Sequence, residues 1–333
     1  MLKKIIWIVL TGYCQLLPGQ KQPQHFIFFN IDRERIREAS FLNEPNIAGA
    51  QLKYTWRELE TNFDEYDFSS IRSDLDYLHA KGKKLFIQVQ DVSFDTARLL
   101  VPQYLLDDPA YHGGVAIQYI TDDRDSIIRQ DGYVPRRWDD RVRARFSKLL
   151  LKLGEAFDGK IAGINLPETS VGFGDTGSLY PEGFTPEKYR DAILDQMRVL
   201  RQAFQRSVVI QYANFMPGEW LPRNNKGYLE SLYRYAGEQH IGMGGPDIKI
   251  YKKAQMNHSY RFLKEYAPKI KTGMAVQWGN YEEINPKTGK EVTIGELCAF
   301  ATQEIGLDYI FWCTQEPYYS ERLLPYLHAI KKN

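Results

Sequence analysis

The residues with chemistry in reach are carboxylates that end apolar runs. Lys160-Ile161-Ala162-Gly163-Ile164-Asn165-Leu166 is apolar on both faces beyond its first residue, as a strand buried in a parallel sheet is. Pro167 has no amide proton for a ladder, so pairing ends there and Glu168 stands at the C-terminal end of a buried strand. In a barrel of alternating strands and helices, catalytic groups sit at that end. Asp247 follows Gly244-Gly245-Pro246, a tight turn that lets backbone approach a ligand. Glu316 lies just past the last apolar run. The ends of the other predicted strands offer Asn30, Tyr54, Trp56, Gln88, Asn165, Gln211, Asn214, Gln277, Trp278 and Trp312. Amides and acids bond ring hydroxyls, and aromatic faces stack on the C–H face of a pyranose. Together the set is expected to line a carbohydrate site, although any single member could equally cap its strand.

Composition removes other classes. The net charge is +1, from 43 basic against 42 acidic residues, so no nucleic-acid footprint is expected. The 6 histidines are scattered and there is no Cys-x-x-Cys, so neither a metal nor a cofactor is expected. Nothing in the spacing of Cys298 and Cys313 demands a disulfide. Glu219, Glu282 and Glu283 fall in predicted loops and are expected to be solvated.

The elements that must position these side chains alternate. Strands are expected over residues 26–30, 48–54, 84–90, 161–166, 207–212, 241–247, 271–278 and 309–313. Helices are expected over 71–80, 138–157, 185–204, 224–236, 257–266, 293–304 and 320–330. Apolar residues at Ile71, Leu75 and Leu78 with a stop at Gly82 show the helical period, and Pro186 opens a first turn. Strand–helix units in this number predict an α/β fold, a (β/α)8 TIM barrel. A long loop insertion, residues 91–137, follows the third strand and is expected to form an active-site wall. No composition shift divides the chain, so residues 25–333 are expected to be one catalytic domain.

Residues 1–24 are expected to be a signal peptide and linker. Met1-Leu2-Lys3-Lys4 is basic, and the apolar run 5–10 is too short for a membrane span. Leu10-Thr11-Gly12-Tyr13-Cys14 resembles a lipoprotein box, with Tyr13 where a small residue is usual. Export to the periplasm or the extracellular space is the expectation, with a lipid anchor at Cys14 on the outer membrane as its alternative.

The run from Gly49 to Glu60, followed by Tyr66-Asp67-Phe68-Ser69, resembles the second-strand region of clan A glycoside hydrolases, where W-x-x-L-E … Y-D-F-S is common. That clan includes barrel cellulases, xylanases and β-galactosidases, and Trp312 is similar in place to its sugar-platform tryptophan. The resemblance implies a secreted enzyme cleaving O-glycosidic bonds of a poly- or oligosaccharide, with Glu168 as acid/base. Two departures stand out: Pro167 precedes Glu168 where the clan usually has Asn, and Gln277 takes the strand-seven place of the nucleophilic Glu. An amide cannot form a glycosyl ester, yet hydrolysis needs two carboxyl groups. The second is expected to be Asp247, with Glu316 as the alternative. A non-catalytic carbohydrate-binding protein on a degenerate barrel is the competing expectation. An aldolase or metal-dependent hydrolase, needing a strand-end Lys or a His/Asp cluster, ranks behind it.

Overall fold

The computed structural model describes residues 22–330 except 123 and 127. The expected export signal and the Cys14 anchor fall on residues 1–21, outside those described.

Eight parallel strands close a barrel. They are β1 (Gln24–Asn30), β2 (Ile47–Thr55), β3 (Lys84–Gln90), β4 (Gly163–Leu166), β5 (Val208–Tyr212), β6 (Gly242–Gly245), β7 (Thr272–Val276) and β8 (Tyr309–Cys313). Each pairs with its neighbours in sequence, and β8 returns to β1. A helix follows every strand: α1 (Ala39–Leu42), α2 (Ser69–Ala80), α3 (Asp140–Phe157), α4 (Pro186–Ala203), α5 (Tyr228–Gln239), α6 (Arg261–Tyr266), α7 (Ile294–Ala299) and α8 (Leu324–Ala329). This is the TIM-like architecture expected from the alternation. No described helix is long and apolar enough to cross a membrane.

Local chemistry explains the longer helices. On α3, Val142, Phe146, Leu149, Leu153 and Phe157 recur at three- and four-residue spacing and are buried, while Asp139 accepts from the amides of Arg141 and Val142. On α4, Thr185 caps the Lys188 amide ahead of the stripe Tyr189, Ile193, Met197 and Leu200. Helix α5 starts later than its sequence pattern suggests. Gly227 turns the chain at φ 73°, and the Glu219 carboxylate accepts from the amides of Tyr228 and Leu229, which fixes the first turn there.

The barrel interior has two halves. Toward the N-terminal ends of the strands it is filled by rings: Phe86 lies 4.9 Å from Phe311 and 5.8 Å from both Phe26 and Tyr309, centroid to centroid. Toward the C-terminal ends it turns polar. Gln51 Nε2 donates to Asn165 Oδ1 at 2.9 Å and to the Tyr212 hydroxyl at 3.2 Å, a buried floor beneath the strand ends. Strand β6 is glycine-rich because β7 comes close: a Cβ on Gly244 would lie 1.8 Å from the Gly273 carbonyl oxygen.

Between β3 and α3 the chain makes its largest excursion, and it has elements of its own. A short helix (Gln103–Asp107) leads into an antiparallel hairpin of Val115–Thr121 and Ile128–Pro135. Its return is fixed by a buried ion pair: the Arg137 guanidinium donates to both Asp91 oxygens, at 2.7 and 3.1 Å, and to the Tyr189 hydroxyl at 2.8 Å.

Candidate active site

Three consecutive residues after β4 are tied to the end of β5. The Pro167 carbonyl accepts from Gln211 Nε2 at 2.8 Å, Glu168 Oε2 accepts from Asn214 Nδ2 at 2.5 Å, and Thr169 Oγ1 donates to the Phe215 carbonyl at 2.7 Å. Asn214 is itself oriented, because its Oδ1 accepts from the Phe215 amide. Glu168 is half-buried and its carboxyl is pushed up to about 7. Loss of hydration is the main cause. The Asn214 hydrogen bond pulls the other way, Asp247 adds to the rise, and Lys53 and Arg137 oppose it.

Asp247 stands two residues past β6. Asn280, fully buried, donates from Nδ2 to Asp247 Oδ1 at 2.9 Å, while its Oδ1 accepts from the Ile248 and Gln277 amides. The Tyr260 hydroxyl donates to the Asp247 carbonyl at 2.9 Å. Both backbone and carboxylate of Asp247 are thus held in place, and its charge is felt at Glu168. Asn165 and Gln88 are partners in strand register, on β4 and β3, on the face that Asn165 turns inward to Gln51. Gln277 directly follows β7, and Asn30 ends β1 in the left-handed region at φ 58°.

Exposed aromatic rings stand beside these groups. Trp278 follows β7 and is 58% exposed, on a turn where Gly279 adopts φ 79° and donates its amide to Gln315 Oε1 at 2.8 Å. After β5, Phe215 and Trp220 stack at 5.7 Å with an interplanar angle of 9°, and Trp220 is 46% exposed. His258 packs against both rings as a neutral imidazole, accepting from the Leu221 amide at Nε2 and donating from Nδ1 to the Ala254 carbonyl.

Several expected site residues lie elsewhere. Tyr54 points out of the barrel, fully buried, with its hydroxyl donating to Asp74 of α2 at 2.8 Å. Trp56 is also buried and donates to Glu60 at 2.8 Å. Trp312 is 0% exposed, so neither indole face is open to a sugar; its Nε1 donates to His25, whose pKa burial lowers to about 4. Gln211 directs its amide protons to the carbonyls of Pro167 and Tyr212 and supports the site from behind. Glu316 is exposed and accepts from the amide and hydroxyl of Ser320, capping the turn that follows. Nor are the three loop acids simply solvated: Glu219 caps α5, Glu282 accepts from Gln315, and Glu283 accepts from the Ile250 and Tyr251 amides.

Sequence reasoning passed over two features of the mouth and weighed a third, Lys53, only as the lysine an aldolase would need. Its inward direction follows from the two-residue period, since Gln51 and Lys53 share one face of β2. Asn280 and the Asp91–Arg137 pair act across 33 and 46 residues, respectively, and no local pattern announces them. Among the described residues no group of His, Cys, Asp and Glu could hold a metal ion, and the buried Cys298 and Cys313 form no disulfide.

Compared with known proteins, the chain matches no family model and no curated protein.

Proposed function

We propose that this barrel is a glycoside hydrolase acting on a poly- or oligosaccharide, with Glu168 as general acid and Asp247 as the second carboxylate. The observation that carries the reading is the pair of unlike acids: Glu168 holds a proton up to about pH 7, and Asp247, fixed by Asn280, is near enough for its charge to add to that rise. Glu168 gives its proton to the glycosidic oxygen as the C1–O bond breaks. Asp247 takes a proton from the attacking water, or attacks C1 itself and is released by water in a second step. Gln277 hydrogen-bonds a sugar hydroxyl or that water. Trp278 and Trp220 offer the stacking faces, and the hairpin segment walls one side. An exported location fits such a substrate.

The test is reducing-end release over plant, algal and microbial polysaccharides by wild type, Glu168→Gln and Asp247→Asn. Release by wild type is expected to fall about 10²- to 10⁴-fold in Glu168→Gln, the usual worth of a general acid. Undiminished release by Glu168→Gln refutes the assignment, and release that survives Asp247→Asn removes Asp247 from its role. The second reading, a sugar-binding protein without turnover, is favoured by Gln277 at the strand-seven end. It predicts glycan binding with no release at all.

A further inference from the structure

The mechanism above leaves one cation at the barrel mouth unused. Lys53 lies on the inward face of β2, two residues on from Gln51. It is half-buried, and its Nζ makes no hydrogen bond and no ion pair among the described residues. It rests 5.4 Å from the centroid of the Phe28 ring. Level with it on β3, in register, is Gln88. Gln88 is only 6% exposed, yet its amide has no partner among the described residues and is not among the sealed unpaired atoms, so it opens on the mouth. Buried polar side chains almost always find a partner, and a desolvated cation without one is costly. Two such groups side by side indicate a ligand that completes them.

The charge of the missing partner follows from its surroundings. Burial lowers the Lys53 pKa to about 8, so at neutral pH it is still an ammonium. The acid acting on it is Glu168, which carries a proton over much of the same range. Arg98, from the segment after β3, also acts on Lys53, but it is itself paired with Asp95 at 3.7 Å. The positive charge on this edge of the mouth is therefore that of Lys53, across the barrel from β6, which leads to Asp247.

We infer that Lys53 and Gln88 form a subsite for an anionic substituent on the sugar, a uronic acid carboxylate or a sulfate ester. The ammonium takes one oxygen and the Gln88 amide donates to a second, as charge-assisted bonds to an oxyanion require. This rests on the carbohydrate-site reading and names its substrate class.

Glu168→Gln protein, which retains the subsite, is titrated calorimetrically with oligouronides, with sulfated oligosaccharides and with the carboxyl-reduced or desulfated neutral counterparts. An anionic arm is expected to bind at least about tenfold more tightly than its neutral counterpart, a preference weakened by salt. Lys53→Met is expected to bring the ratio close to one, while Lys53→Arg keeps most of it and shows that charge rather than folding is at issue. Which anionic arm binds separates carboxylate from sulfate. Equal binding of neutral and anionic glycans, or a preference that survives Lys53→Met, overturns the subsite and leaves the hydrolase reading standing. No glycan binding in any arm defeats both. Borohydride trapping of a carbonyl sugar on Lys53, which reduces an imine to a stable secondary amine, also overturns it, in favour of imine chemistry.

Discussion

The two ends of the barrel are built from the same eight strands and differ in what they leave unfinished. At the N-terminal end, Phe26 and Phe86 meet each other and both Tyr309 and Phe311 edge to face or tilted, Tyr309 and Phe311 stack, and the four fill the interior. At the C-terminal end the same strands carry Gln51, Lys53, Gln88 and Asn165, then hand over to Glu168 and Asp247. The lower half satisfies itself by packing. The upper half contains an acid whose proton is held by burial, an ammonium with no ion pair among the described residues and tryptophans turned to solvent. A fold that closes tightly below can carry that cost above, which is why strand ends rather than strand middles hold the chemistry in such barrels.

Substitutions can break this contrast. Phe86→Ala, in the filled half, is expected to lower unfolding free energy by about 3–5 kcal/mol in a denaturant titration while the remaining folded protein keeps its sugar affinity. A loss of affinity with little loss of stability would mean the halves are not separable. Tryptophans sharpen the point. Trp312→Ala should cost stability on the same scale, because its indole is sealed and bonded to His25. Trp278→Ala should leave the melting temperature nearly unchanged and weaken glycan binding about two- to tenfold. The reverse pattern would restore Trp312 as the sugar platform.

A further effect is a slope. The folded chain binds the Glu168 proton more tightly than the unfolded chain does, so this carboxyl favours folding at low pH, and that contribution is lost as pH rises from about 4.5 through about 7. Relative to Glu168→Gln, wild type should therefore lose stability over that interval, measured by paired melts. A parallel pair of curves would mean that burial does not hold the proton.

The contrast also explains how much could be read from the chain itself. Barrel strands and helices were legible because apolar runs and amphipathic periods are local, and the place of Glu168 just past its strand was legible because Pro167 marks where that strand stops. Tyr54 and Trp312 were misplaced because proximity to a strand end was weighed above side parity. Gln51 faces inward, so Tyr54 cannot, and Phe311 faces inward, so Trp312 cannot. Glu316 stood as the alternative to Asp247, and the contacts part them: one acid is tied by Asn280 into the mouth and the other bends to its own helix. What fixes the site comes from long-range hydrogen bonds, and these leave no trace in spacing.

The central claim is that Glu168 carries a proton near neutrality, and it can be tested without knowing the substrate. Carbon-13 carboxyl resonances are followed against pH in protein labelled at glutamate, with Glu168→Gln identifying the signal. A midpoint near 7 is the predicted result; a midpoint at the ordinary 4.5 would contradict it and leave the site without its acid.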